Sequence, residues 1–137
     1  MNWQIKIIIK IIINRIPLLR KLFELFGLFK LGKMDSYLYA KKIYKLHFNQ
    51  YSQNSTCKDK VMLEMGPGDS ISSAIFGYSS GFKKIYLIDV GNFATSNLDF
   101  YRNIVSIMRK EGLKVPNINN AEKLDDILLA CNAKYLI

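Results

Sequence analysis

The strongest indication of the fold is the stretch VMLEMGPGDS, residues 61 to 70, in which an apolar run leads directly into a loop that contains Gly66 and Gly68. Glycines at such a position let the backbone turn sharply and let a ligand approach the main chain with no Cβ in the way. The pattern predicts a buried strand over residues 61 to 65, a glycine loop and a helix over residues 71 to 78. Because a pair of glycines alone is a weak signal, the neighbouring stretches decide its meaning.

A second apolar stretch, KIYLID at residues 84 to 89, predicts another strand and ends in Asp89. Asp89 follows Gly68 at the spacing at which the next parallel strand places a carboxylate beside a nucleoside ribose. A carboxylate there can accept charge-assisted hydrogen bonds from two vicinal hydroxyls, which favours a free ribose over a phosphorylated one. Glu64 and Asp89 could instead be ordinary strand-end carboxylates.

The rest of the chain continues the alternation of helix and strand. The pattern predicts a helix over 97 to 111, a last helix capped at Asn119 or Asn120 and reaching about Ala130, and a third strand at 134 to 137. Alternation of this kind implies an α/β fold with a parallel sheet and right-handed crossovers.

These stretches resemble motif I and the acidic end of the second strand in Rossmann-like (class I) S-adenosylmethionine-dependent methyltransferases. The resemblance rests on LEMGPGDS at 63 to 70 and LIDVGNFA at 87 to 94, and it covers roughly residues 35 to 137. The two stretches are similar in sequence to those of bacterial methyltransferases associated with polysaccharide or glycan biosynthesis. It implies a three-layer Rossmann-like sheet of about seven strands, of which this chain encodes the first three.

The resemblance implies S-adenosyl-L-methionine as the cofactor. In that arrangement the glycines line the cofactor, Glu64 supports its methionine end, Asp89 holds the ribose hydroxyls and Val90 flanks adenine. One position departs from the family's E-x-G-x-G-x-G pattern: the third glycine is Ser70, which could cap the following helix instead. The implied cofactor-binding residues are Glu64, Gly66, Pro67, Gly68, Asp89 and Val90.

The competing cofactor is a nicotinamide or flavin dinucleotide. It needs a pyrophosphate cradle, usually G-x-G-x-x-G, in which backbone amides at a helix N-terminus face the phosphates. Here the third glycine would fall at Ile71, and Asp69 places a negative charge where the phosphates would lie. Both features favour the sulfonium cofactor.

The resemblance also implies what this chain lacks. The family's acceptor pocket and any general base come mainly from loops after the fourth and later strands, so no catalytic residue is predicted. We expect a small-molecule or glycan acceptor in the complete protein, no methyl transfer by this chain alone, and self-association of the incomplete sheet. The alternative is a non-catalytic membrane-peripheral or interaction protein derived from a broken methyltransferase gene.

The formal net charge of +9 is concentrated at the start of the chain, where residues 1 to 34 hold seven basic residues and one acidic residue. The charges interrupt the apolar run too often for a membrane-spanning helix. Amphipathic helices are predicted here, which would meet an anionic membrane surface or pack on the part of the methyltransferase domain that this chain is expected to lack. Nucleic acid is not an expected partner, because the basic residues are interleaved with isoleucine and leucine.

Three parts are predicted: a basic amphipathic extension at 1–34, a helix and linker at 35–59 that ends in a polar loop, and, from the resemblance, a methyltransferase-like half-domain at 60–137. The predicted helix runs from a cap at Asp35 or Ser36 to about Phe48, and residues 49 to 59 read as a loop.

Two cysteines, Cys57 and Cys131, lie far apart in the sequence, with no second ligand at metal-binding spacing. Neither a disulfide nor a metal site is predicted. Unpaired thiols fit a cytoplasmic protein. The basic extension suggests, as an alternative, a peripheral position at the inner face of the membrane. His47, the only histidine, is expected to pack or to lie at the surface.

Overall fold

The computed structural model describes residues 36–54 and 59–137, which lie in one compact unit spanning residues 32–137. The extension predicted for residues 1–34 therefore lies outside the described residues. Within the described residues, no helix is both long enough and apolar enough to cross a membrane. The elements, in chain order, are α1 (Tyr37–Asn54), β1 (Val61–Met65), α2 (Ser72–Ser79), β2 (Lys84–Ile88), α3 (Leu98–Lys110), α4 (Leu124–Ala130) and β3 (Ala133–Leu136).

The three strands form one open, all-parallel sheet in the order β1-β2-β3. In register, Glu64 of β1 lies beside Leu87 of β2, and Leu87 lies beside Tyr135 of β3. The mixed α/β fold and the parallel sheet that the sequence pattern predicts are thus confirmed.

Side chains alternate across a strand, so residues that share a register position share a face of the sheet. We call one side the helical face, because a Cβ placed on Gly77 of α2 would lie 2.9 Å from Ile85 Cδ1 and 3.2 Å from Met62 Sδ. The helical face comprises Met62, Glu64, Ile85, Leu87, Ala133 and Tyr135. The other side, the open face, comprises Val61, Leu63, Met65, Lys84, Tyr86, Ile88, Lys134 and Leu136.

The core lies between the helical face and the helices. Leu87 and the α3 residues Tyr101 and Ile104 are fully buried, as is Ile127 of α4. On the open face, the side chains of Leu63 and Met65 are 61% and 73% exposed. The described helices therefore do not produce the expected third layer.

Two predicted boundaries are wrong. The helix expected to end at Phe48 continues to Asn54, because Tyr51 still packs on Phe82 with ring centroids 5.8 Å apart. Neither Asn119 nor Asn120 caps the last helix, which begins at Leu124. Its start is fixed instead by the carboxylate of Asp126, whose Oδ2 accepts the backbone N–H groups of Glu122 and Lys123 at 2.9 and 3.1 Å.

Candidate functional site

The glycine loop between β1 and α2 takes the sharp turn expected from the sequence. Gly66 and Gly68 have φ values of 70° and 73°, a left-handed conformation that side chains other than glycine rarely adopt. Gly66 still extends the sheet, because its N–H donates to the carbonyl oxygen of Ile88 at 2.7 Å. A Cβ built on either glycine would meet nothing within 4 Å, so open space lies beside the loop backbone.

Asp89 follows β2, and its carboxylate faces this loop. The Gly68 N–H donates to Oδ2 at 3.3 Å, and the Val90 N–H donates to Oδ1 at 2.7 Å. A carboxylate has about four acceptor positions, so these two bonds leave room for further donors. The fold thus brings together the glycine loop and the acid that the sequence places 21 residues apart.

Tyr101 of α3 ties the loop after β1 to the loop after β2. Its hydroxyl donates to the carbonyl oxygen of Thr95 at 2.9 Å and accepts the N–H of Ile71 at 3.3 Å. Burial raises the pKa of Tyr101 to about 12, so the hydroxyl stays protonated. The Thr95 N–H also donates to the carbonyl oxygen of Asp69 at 2.9 Å, which gives the two loops a second link.

Tyr135 of β3 supports the other side of the loop after β2. Its hydroxyl donates to the carbonyl oxygen of Gly91 at 2.9 Å and accepts the N–H of Phe93 at 3.4 Å. Sequence reasoning assigned neither Tyr101 nor Tyr135 to the site. Tyr101 lies within the helix predicted for residues 97 to 111, but the partners of its hydroxyl are set only by the tertiary fold.

A cavity of about 570 Å³ lies between α1 and β1, and Glu64 is part of its lining. Gly66 and Pro67 also line it, as do Tyr44 and His47 of α1. The other predicted cofactor-binding residues, Gly68, Asp89 and Val90, are not among the lining residues. The predicted set is therefore divided between this cavity and the corner formed by the two loops.

Glu64 is the acidic side chain of the cavity, and its Oε2 is buried and has no hydrogen-bond partner among the described residues. Burial raises the pKa of this carboxyl above its ordinary value. The nearby Ser73 hydroxyl and His47 oppose that rise, although Ser73 Oγ is itself buried with no bonded partner. The cavity thus contains a carboxylate oxygen and two hydroxyls, those of Ser73 and Tyr44, that would gain from a ligand with polar groups.

The remaining predicted residues have different positions. Pro67 is a fully buried residue of the glycine loop, whereas Val90 is 89% exposed. Ser70 is not the N-cap of α2, because that position is held by Ile71. Ser70 is buried one residue earlier, and its Oγ accepts the N–H of Ser72 at 3.4 Å. His47 is exposed on α1 and lines the cavity, which the sequence did not predict.

Comparison of the chain with protein-family models, with curated proteins and with solved structures finds no match.

Proposed function

We propose that the described residues form the cofactor-binding part of an S-adenosylmethionine-dependent methyltransferase. The observation that carries this proposal is the hydrogen bond from the Gly68 N–H to Asp89 at 3.3 Å, which places a carboxylate with free acceptor positions beside an open glycine loop. A nucleoside with two vicinal hydroxyls matches that pairing of acid and open backbone.

Glu64 supports the same assignment from the cavity. An ammonium group placed at its unpartnered Oε2 would form a charge-assisted hydrogen bond and would favour the ionised carboxylate. The methionine end of S-adenosylmethionine carries such an ammonium. Gly66 and Pro67 line the cavity and also belong to the loop, so one ligand could contact both parts of the predicted set.

The hydrogen bonds at the start of α2 argue against a dinucleotide. A pyrophosphate cradle needs free backbone N–H groups at the helix N-terminus. The N–H of Ile71 donates to Tyr101, and the N–H of Ser72 donates to Ser70. Asp69 adds a negative charge beside them. The sulfonium cofactor therefore fits this loop better than NAD or a flavin dinucleotide.

The reaction would be an in-line displacement. An acceptor nucleophile would bond to the methyl carbon as the sulfur–carbon bond breaks, with S-adenosylhomocysteine as the leaving group. Catalysis of this type depends largely on holding donor and acceptor in line. The described residues would contribute the donor's position, and we assign no base among them. A small-molecule or glycan acceptor remains a prediction.

Calorimetry on the full chain with S-adenosylmethionine, S-adenosylhomocysteine and NAD tests the proposal. We expect binding of the first two ligands and not of NAD, with affinity weakened at least about tenfold by Asp89→Asn because a charge-assisted hydrogen bond is lost. Asp89→Asn keeps the shape of the side chain and one acceptor oxygen for the loop. Asp99→Asn is the matched control, because Asp99 is an exposed carboxylate on α3.

Two results would overturn the assignment. One is tighter binding of NAD than of S-adenosylmethionine. The other is equal affinity for S-adenosylmethionine in Asp89→Asn and in the Asp99→Asn control. Methyl transfer from labelled cofactor to a cell extract is a separate readout, and its absence alongside intact binding would favour the non-catalytic alternative.

A further inference from the structure

The outer edge of β1 is unpaired within the described part of the chain, because β1 pairs there only with β2. At the two ends of that pairing, the Lys60 carbonyl oxygen accepts the Lys83 N–H at 2.8 Å, and the Gly66 N–H donates to Ile88. The N–H and C=O of one strand residue point to the same side, and this side alternates along the strand. The even-numbered residues of β1 therefore face β2, and the odd-numbered ones face the open edge.

The odd-numbered residues of β1 are Val61, Leu63 and Met65. Their side chains lie on the open face and are 55%, 61% and 73% exposed. Exposed strand edges with apolar side chains are templates for pairing with another strand. The cavity beside this edge contains Glu64, whose Oε2 has no partner. A strand that fits here needs apolar residues at alternate positions and a cation opposite Glu64.

We propose that the open edge of β1 pairs with β1 of a second copy of this chain, antiparallel and around a two-fold axis at Met62. The residues from 60 to 65 have the required pattern, with Lys60, Met62 and Glu64 on one side and apolar residues on the other. In this register Lys60 lies opposite Glu64 of the second copy, and Val61 lies opposite Leu63 of the second copy. The result is one continuous six-stranded sheet.

Charge favours this register over those shifted toward the C-terminal end of β1. A shift by a single position would place each odd-numbered residue of one copy opposite an even-numbered residue of the other. Those even-numbered residues already use their backbone groups to bond to β2. With the axis at Leu63, Glu64 would face Met62 and stay without a partner. With the axis at Glu64, two carboxylates would face each other. Among these three registers, the axis at Met62 alone gives two equivalent ion pairs between described residues, since a two-fold interface repeats every contact.

This dimer goes beyond the proposed function and does not rest on it. The ion pair would use the same Glu64 carboxylate that the proposed cofactor would contact, so the dimer and the cofactor complex are alternative states. Loss of the dimer would leave cofactor binding intact, and loss of cofactor binding through Asp89→Asn would leave the dimer intact. The two proposals therefore fail separately.

Sedimentation velocity on the full chain measures the dimer. We expect Lys60→Glu to raise the dissociation constant at least about tenfold, because it places like charges opposite each other at two cross-strand pairs. The double variant Lys60→Glu with Glu64→Lys exchanges the two charges and should return the constant to within about threefold of the original. Lys84→Glu is the matched control, since Lys84 is an exposed lysine on β2.

Disulfide formation tests the register independently of the charge variants. Opposed residues that are not hydrogen-bonded to each other have Cα atoms about 4.5 Å apart, which suits a disulfide. In a Cys57→Ser background, Met62→Cys should cross-link two copies, whereas Leu63→Cys should not. Faster cross-linking of Leu63→Cys would overturn the register. A chain that stays monomeric at every concentration, or a dimer unaffected by Lys60→Glu, would overturn the proposal.

Discussion

The two faces of the sheet come from the same three strands, yet they have opposite environments. Leu87 on the helical face is fully buried, whereas Leu63 on the neighbouring strand points to the open face and is 61% exposed. Both residues look alike in the sequence, as leucines within apolar stretches. Parallel sheets are normally covered on both faces. The difference shows that apolar composition identifies a strand but does not tell which of its faces the described helices cover.

The largest expected effect comes from truncating the same residue type on each face. Leu87→Ala should lower the free energy of unfolding by about 2–5 kcal/mol, because it leaves a cavity in a packed core. Leu63→Ala should change it by at most about 0.5 kcal/mol, as for other exposed positions. Urea denaturation of dilute protein measures both. A loss at Leu63 as large as at Leu87 would mean that the open face is covered in solution.

A smaller effect tests how tightly α2 lies on the helical face. Alanine is normally better than glycine within a helix by about 1 kcal/mol. At Gly77, however, the added Cβ would lie only 2.9 Å from Ile85 Cδ1. Gly77→Ala should therefore destabilise the protein, by about 1–3 kcal/mol, as overpacking does. Ser79→Ala, in the same helix but only half-buried, serves as the control. Stabilisation by Gly77→Ala in thermal unfolding would show that the contact is loose.

The smallest expected effect concerns the one charged residue of the helical face, Glu64. Burial raises the pKa of this carboxyl, so the folded state prefers its protonated form. The free energy of unfolding should then fall as pH rises from the unfolded value of 4.5 through the folded pKa. Glu64→Gln removes this loss and should stabilise the protein at pH 7 by on the order of 1 kcal/mol.

The gain from Glu64→Gln should disappear below the unfolded pKa, where Glu64 is protonated in both states. Thermal unfolding between acidic and neutral pH measures the dependence. Glu122→Gln is the control, because it is the same substitution at an exposed glutamate. A gain for Glu64→Gln that is equal at every pH would exclude ionisation as its cause.

The sequence predicts β1 and β2 well, because each is a short apolar stretch followed by glycine or aspartate. The bounds of β1 agree with the prediction, and Lys84–Ile88 ends one residue before the predicted Asp89. Helix ends are less predictable. The extension of α1 to Asn54 depends on Tyr51 packing against a distant ring, and such contacts leave no local pattern in the sequence.

The candidate site divides in the same way. The pairing of Gly68 with Asp89 follows from the order of parallel strands, so the sequence spacing predicts it. The unpartnered state of Glu64 depends on α1 lying over β1, which the sequence does not specify. The links through Tyr101 and Tyr135 depend on where two hydroxyls end after the helices and strands have packed.

The bond from the Ile71 N–H to the Tyr101 hydroxyl has a consequence for hydrogen exchange. Backbone N–H groups at the start of a helix usually lack a partner within the helix and exchange readily with solvent. Ile71 is fully buried, and its acceptor belongs to α3 rather than α2. Exchange at this amide requires α3 to separate from the glycine loop, so its protection factor reports the free energy of that opening. A single amide thus reports how stable the contact between the glycine loop and α3 is.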